Sequence, residues 1–413
     1  MAPFPRLPFF IGAWVAPRTD PPAPQDWARF AAAEFDLAVT PLEDRNGTAD
    51  NLETLALLDT LAGGRVRFLP RDERVHPDAA TTPGWRERVR AVIRDMQGHP
   101  SLAGYFVADE PLPASFGQLA ELTQAFAEED DRHPAFVNVV GVAPTADAKE
   151  QARWRADLTS LIEQGRLGLF TFDRYAHTTR GEDAGFLLSL DNASRVAAET
   201  LCPFGAVLLL TGHGPFPPAT LEIARYQAME ALAHGACGII WFTYWTPNPR
   251  EEPYRWHDGV VDYDGRPTSQ YEAIRALNLE IRTFARFIDG RPLTARHLGG
   301  SWPRGSPVPR GPVPGLTRAE GGPLTIGYSS LHGGERIWMI VNRDVSTPHR
   351  FEFSFDSSVV AVRVNNPERG LEPGPLLDPS APLALELEPG AAIPLTIGYR
   401  PQGTQDPGTG SGR

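Results

Sequence analysis

The chain has 413 residues, 41% of them hydrophobic, enough for a sizeable core, and its 39 basic against 51 acidic residues leave a net charge of -12. That balance argues against nucleic acid or an anionic membrane surface as a partner and suits a neutral ligand. No stretch reaches the roughly 20 apolar residues of a membrane helix, and two cysteines, Cys202 and Cys237, are too few for a disulfide framework.

The start of the chain holds one early Arg6 and a short, proline-rich apolar run at 8–15. It reads as a strand rather than a signal peptide, so a cytoplasmic location is expected. Asp26 caps a short helix through Trp27, Phe30 and Ala33. A second strand over 35–42 ends in Glu43-Asp44-Arg45. A helix over 48–61 follows, with Leu52, Leu55 and Leu58 at helical spacing and Gly63-Gly64 as its stop. A third strand, 66–69, ends in Arg71-Asp72-Glu73-Arg74, acids and bases that can pair with one another. The helix over 84–97 sets Trp85, Val89, Val92, Ile93 and Met96 on one side.

The fourth strand runs from His99-Pro100 through the apolar 102–108 to Asp109-Glu110-Pro111. A strand buried on both faces that stops in two acids sets charge at the rim of a core. Burial and a close second acid both push a carboxyl pKa upward. The same acids could equally open the next helix, where the dipole favours them. That helix is 115–129. A fifth strand, 135–140, leads to a helix over 146–164. The sixth strand, 167–172, ends in Asp173-Arg174-Tyr175 and precedes a helix over 186–201. The seventh, 204–210, ends in Thr211-Gly212-His213-Gly214 and precedes a helix over 218–234. The eighth, 236–243, ends in Tyr244-Trp245, and a helix over 268–287 closes the set. Cys202 and Cys237 open the apolar runs of these last two strands and read as buried thiols.

Eight short apolar strands, each followed by a helix, predict an α/β fold with a parallel sheet closed into a (β/α)8 TIM barrel over 1–290. An open doubly wound sheet would carry a Gly-rich phosphate loop after its first strand; Val15-Ala16-Pro17-Arg18 is not one. Beyond Gly290 the helical pattern stops. Short strands at 336–341, 351–355 and 383–387, with Phe351, Phe353 and Phe355 on one face, predict a small C-terminal antiparallel β-sandwich over 291–401. The Gly/Ser/Thr-rich 402–413 reads as a disordered tail.

In a barrel, chemistry sits at the C-terminal ends of the strands. Those ends collect Trp14, Glu43, Asp109, Glu110, Asn138, Asp173, Tyr175, His213, Tyr244 and Trp245. Carboxylates move protons and face an oxocarbenium-like transition state, and aromatic rings stack on sugar faces, so a carbohydrate is the expected ligand. The histidines lack His-x-x-x-His spacing and the cysteines Cys-x-x-Cys spacing, so no metal and no cofactor is expected. His213 reads as a ligand-binding or structural group, and no serine nucleophile elbow is present.

These ends resemble those of the clan A glycoside hydrolases, and more closely a bacterial branch of glycosidase-like barrels. The residues concerned are His99-Pro100, Gly104-Tyr105, Asp109-Glu110-Pro111, Phe172-Asp173-Arg174-Tyr175, Trp241-Phe242-Thr243-Tyr244-Trp245 and the segment 259–268. The likeness spans about residues 8–288. It implies that Glu110, which ends strand four before a proline, is the general acid of a glycoside hydrolase. Two departures stand out. Strand seven ends without the acid that serves the clan as nucleophile, and Asp109 replaces the Asn expected before Glu110. The partner carboxylate must then come from elsewhere. Asp173 is the first choice as base or nucleophile, with Asp109 and Glu43 in reserve. Trp14, Tyr244 and Trp245 are expected as sugar platforms, and Asn138, Tyr175 and His213 as hydroxyl-binding groups. Two rival readings remain: a carbohydrate-binding barrel without catalysis, which the missing strand-seven acid motivates, and a metal-dependent lyase or isomerase.

Overall fold

The computed structural model describes residues 8–39, 47–61, 64–75, 82–288, 290–299, 311–367 and 370–401. Eight parallel strands alternate with eight helices. The strands are β1 (Phe10–Trp14), β2 (Leu37–Val39), β3 (Arg67–Leu69), β4 (Tyr105–Asp109), β5 (Ala135–Val140), β6 (Phe170–Asp173), β7 (Phe204–Leu209) and β8 (Gly238–Phe242). The helices are α1 (Pro24–Ala32), α2 (Thr48–Thr60), α3 (Trp85–Met96), α4 (Phe116–Glu129), α5 (Ala148–Gly165), α6 (Ala184–Thr200), α7 (Leu221–Ala233) and α8 (Tyr271–Ile288). The sheet runs in the order β3-β2-β1-β8-β7-β6-β5-β4. Its two ends meet through parallel bonds beside β4: Phe68 N donates to Ser101 O at 2.8 Å, and Ala103 N to Phe68 O at 2.9 Å. The (β/α)8 TIM barrel expected from the alternation is therefore the fold. A short ladder pairs His177 with Glu182 in the loop before α6.

Three of the strand-four motif residues serve the barrel rather than any ligand. A Cβ at Gly104 would meet the Pro134 carbonyl oxygen at 2.4 Å, so only glycine lets the two segments approach. The Tyr105 hydroxyl donates to Asp130 at 2.8 Å. His99 Nδ1 lies 2.6 Å from Asp59, again beneath the barrel. Asp72 and Arg74 pair as the sequence suggests, with Arg74 Nε 2.8 Å from Asp72 and Nη1 2.6 Å from Asp95. Neither cysteine forms a disulfide: Cys202 is buried and Cys237 half-buried.

After the barrel come nine antiparallel strands: β9 (Leu293–Leu298), β10 (Leu316–Glu320), β11 (Leu324–Ser329), β12 (Glu335–Asn342), β13 (His349–Phe355), β14 (Val359–Asn366), β15 (Glu372–Leu377), β16 (Leu383–Leu387) and β17 (Ala392–Tyr399). They form a six-stranded sheet, β9-β11-β12-β17-β14-β15, and a three-stranded sheet, β10-β13-β16. Trp338, Ile340, Phe351 and Phe353 are fully buried in a second core, with Phe355 at its edge. This is the expected sandwich, richer in strands than the sequence suggested. The missed ones carry Pro or Gly, as in Glu372–Leu377, or expose most of one face. The predicted tail at 402–413 lies outside the described residues.

Helix α7 is the barrel element on which the C-terminal sheet rests. A Cβ at Gly327 of β11 would lie 2.4 Å from the Ala233 carbonyl oxygen and 2.8 Å from its Cα. Backbone cannot yield as a side chain would, so Gly327→Ala is expected to destabilise the protein by about 2 kcal/mol or more. The midpoint of urea unfolding reads this. An unchanged midpoint would mean that the sheet does not bear on α7.

Candidate active site

One cleft of ≈ 560 Å³ opens over the C-terminal ends of the strands, within the range of small-ligand sites. Asp109, Glu110, Asn138 and Asp173 line one side of it, from β4, β5 and β6. Asn138 holds this side together. Its Nδ2 donates to Asp109 Oδ1 at 3.0 Å and to Asp173 Oδ1 at 3.2 Å, and its Oδ1 accepts from the Thr171 hydroxyl at 2.9 Å. Both amide hydrogens are thus engaged by carboxylates. Asn138 positions the acids rather than offering those hydrogens to a hydroxyl, which corrects the role expected of it.

The register of β4 against β5 slips between Phe106 and Ala108. Such a bulge re-aims the residues that follow it. Glu110 follows with φ at 44°, a left-handed conformation that a non-glycine residue adopts only under constraint. The constraint is visible: Glu110 N donates to Asn138 O at 2.8 Å. Val15, just after Trp14 at the end of β1, also has φ at 51°. Two strained residues at the ends of β1 and β4 mark this rim, where strain tends to gather at working sites.

The Glu110 carboxyl hydrogen-bonds to Asp173. Burial, that bond and the charges of Glu110 and Asp109 together hold the Asp173 carboxyl well above the ordinary carboxylate range. Two acids in contact cannot both ionise cheaply, which is why the Asp173 carboxyl holds its proton above the ordinary range. Burial raises the Tyr175 hydroxyl well above its usual value, and the same three acids add to it, so Tyr175 is a neutral donor. Arg174, which also lines the cleft, is held by Asp183 at 2.7 Å.

The other side of the cleft is aromatic. His213 stacks on Trp256, with ring centres 4.5 Å apart at 28°, and Trp256 stacks on Tyr254 at 5.4 Å and 28°. His213 Nδ1 donates to the Thr211 carbonyl at 2.9 Å, which leaves the lone pair on Nε2, and burial lowers the ring's pKa. Glu251 lines the same side and accepts from Trp256 Nε1 at 3.0 Å. It lies on the segment after β8, and β8 stands across an eight-stranded barrel from β4.

Of the residues singled out in the sequence, Trp14, Asp109, Glu110, Asn138, Asp173, Tyr175 and His213 share this cleft. Glu43 lies outside the described residues. Tyr244 and Trp245 do not reach the cleft, which corrects their expected role as platforms. Tyr244 is 1% exposed beneath α1, with its ring 4.9 Å from Phe30 and 5.4 Å from Phe35. Trp245 is buried away from the cleft, donates to the Tyr263 carbonyl at 3.1 Å and packs against Gly265. Trp256, Tyr254 and Glu251 were missed because they sit in a long polar segment between β8 and α8. The aromatic pair with one residue between them, in Tyr254-Arg255-Trp256, was the signal available.

No protein family and no curated protein sequence matches this chain. Among solved structures, the β-galactosidase of the psychrophilic Marinomonas ef1 is similar with a TM-score of 0.51 and 10% identity, over 68% of this chain and 60% of that one. A glucosidase from Croceicoccus marinus is similar over 97% of each chain, with a TM-score of 0.47 and 11% identity. A β-galactosidase from the haloarchaeon Halorubrum lacusprofundi gives 0.46 and 15%, over 67% of this chain and 58% of that one. This chain spans less than two thirds of the length of both galactosidases. The first likeness establishes a shared fold, the eight-stranded parallel barrel. No helix among the described residues is long and apolar enough to cross a membrane.

Proposed function

We propose that this chain is a glycoside hydrolase acting on a neutral carbohydrate, with the Glu110–Asp173 pair as its proton donor. The observation that carries the reading is that pair: two neighbouring carboxyls on one side of a cleft whose other side is a stack of aromatic rings. Asp173 is the more buried member and keeps the proton in the free site. Glu110 is the exposed member, which a substrate reaches. A sugar closing over Glu110 removes it from water, which favours its neutral form and draws the proton across. Glu110 then protonates the glycosidic oxygen as the C–O bond breaks, and that oxygen keeps the bonding electrons. Asp109 and the ionised Asp173 face the positive charge that develops at the sugar carbon.

Asp173 is not the second carboxylate of a displacement. It touches Glu110, whereas a retaining pair stands about 5–5.5 Å apart and an inverting pair about 6.5–9.5 Å, with the bond between them. Our reading therefore moves the base role away from Asp173. Glu251, across the mouth of the barrel, takes it: its carboxylate accepts a proton from the water that attacks the sugar carbon. The Trp256–Tyr254 stack replaces Tyr244 and Trp245 as the platform, beside Trp14. Tyr175 and His213 Nε2 are placed to bond sugar hydroxyls.

A set of 2,4-dinitrophenyl and 4-nitrophenyl glycosides, spanning common pyranoses in both anomers, tests the reading. Turnover of at least one is expected. Trp256→Ala is expected to raise KM for that substrate about tenfold or more with a smaller change in kcat, as lost stacking should. Calorimetric binding of a sugar with no turnover of any glycoside would replace this reading with that of a carbohydrate-binding barrel. The strand-seven end Thr211-Gly212-His213-Gly214, which holds no acid, is what favours that alternative.

A further inference from the structure

A polar cluster that the cleft chemistry does not use lies at the opposite end of the barrel, where α7 ends and the C-terminal sheet begins. Glu230 and His234 are four residues apart along α7 and its C-terminal cap, so they share one face of that helix. His297 comes to them from β9. The three residues are 0%, 1% and 3% exposed. One potential ligand atom from each lies within 4.8 Å of the other two.

Each ring is already aimed. His234 Nδ1 donates to the Glu230 carbonyl oxygen at 2.7 Å, which places the lone pair on Nε2. His297 Nδ1 is hydrogen-bonded to the Thr325 hydroxyl at 2.8 Å. A hydrogen bond on one ring nitrogen is the usual way a protein orients the other toward a metal. The groups left over are unusual for a packed core. His234 Nε2 is buried and makes no hydrogen bond, and the buried Glu230 carboxylate has the Thr325 hydroxyl beside it. Buried polar atoms nearly always have partners, and here an unpartnered imidazole nitrogen and a buried carboxylate converge from one helix face toward a third residue.

The spacing matches an ion. The His234 and His297 rings have their centres 5.2 Å apart, tilted by 33°. Two imidazoles on one tetrahedral zinc, at Zn–N of about 2.0–2.1 Å, bring their ring centres to about 5 Å. Two imidazole nitrogens with one carboxylate oxygen form a donor set that suits zinc, with a fourth position left for water. Glu182 and Arg343 also bear on Glu230 with opposite charges.

We propose that Glu230, His234 and His297 bind one zinc ion, which ties helix α7 to the C-terminal sheet. The proposal is independent of whether the cleft hydrolyses glycosides. The pattern escapes a search for paired histidines because the helix supplies Glu-x-x-x-His and the third ligand comes from a strand 63 residues further on.

The test uses the full chain without a histidine tag, equilibrated with zinc chloride, passed through metal-free buffer and analysed by elemental mass spectrometry. About one zinc per chain is expected, falling below about 0.2 in His297→Gln and Glu230→Gln. The exposed His332→Gln, a control, is expected to keep its zinc. Stripping the metal with 1,10-phenanthroline is expected to lower Tm by several degrees, and adding zinc back to restore it. Cobalt chloride in place of zinc is expected to give the visible d–d absorption of a tetrahedral site. A wild-type chain that retains less than about 0.1 zinc, shows no cobalt absorption and melts at the same temperature with and without chelator overturns the proposal. So does a folded His297→Gln that binds zinc as well as wild type. The wild-type measurements decide alone if a variant does not fold.

Discussion

Glu110→Gln is expected to lower kcat/KM on a 4-nitrophenyl or natural glycoside by about 10³-fold, the usual scale for removing a general acid. Gln has the same size and can keep the contact with Asp173, so the fold should survive, with Tm within a few degrees of wild type. The strained backbone at φ 44° is no worse for Gln than for Glu. The loss should depend on the leaving group. A 2,4-dinitrophenolate departs without protonation, so that substrate should lose less than about tenfold. Glu251→Gln should behave differently and slow both substrates alike, because water must still be activated whatever leaves. Equal losses on the two substrates for Glu110→Gln would remove Glu110 from the acid role. Wild-type turnover would end the assignment of the pair.

The contrast between Glu110 and the residues around it shows which parts of the site could be read from sequence. The strand ends announce themselves because an apolar run that stops in acids has few structural explanations. Seven of the rim residues named on that basis do share the cleft. Tyr244 and Trp245 end the same kind of run and fail. Nothing in a one-dimensional pattern says whether a residue just past a strand turns inward or packs behind it. Here α1 claims Tyr244 through Phe30, and the loop at Gly265 claims Trp245. The motif residues His99, Gly104 and Tyr105 likewise serve the lower end of the barrel through Asp59, Pro134 and Asp130. Resemblance in those positions therefore carries information about the fold and none about the chemistry.

The barrel itself was legible because its signal is redundant. Eight apolar runs, eight amphipathic segments and a glycine after many of the helices all point to one topology. The aromatic platform was not, because Tyr254 and Trp256 stand in a segment with no periodicity, where side-chain direction is set by tertiary contacts such as the stack on His213. Contact between Glu110 and Asp173 was also beyond sequence. It depends on a one-residue slip between β4 and β5 and on Asn138, which draws Asp109 and Asp173 toward a shared nitrogen.

That crowding of acids has a thermodynamic signature, and Asp173→Asn is expected to reveal it as a gain in stability. In the folded chain the Asp173 carboxyl keeps its proton well above the ordinary carboxylate range, mainly through burial. In the unfolded chain it ionises near about pH 4. Below that pH both states are protonated and the residue favours neither. Above it the unfolded chain releases a proton that the native chain retains. Stability then falls by about 1.4 kcal/mol per pH unit until native Asp173 ionises as well. Asn has no proton to lose, and its side-chain amide can donate to Glu110 while its oxygen still accepts from Asn138. The variant should therefore melt with wild type at pH below about 4 and several degrees above it at pH 8, the gap opening between those values. Activity should move the other way. Asn holds no proton for Glu110 to draw on, so the basic limb that Asp173 sets in the kcat/KM profile should shift to lower pH and turnover at pH 7 should drop. A variant no more stable than wild type at pH 8, or a gap that does not change with pH, would mean that Asp173 is not the residue that holds the proton. A stable variant with an unshifted profile would leave the crowding in place but break its link to Glu110, since the same proton must account for both measurements.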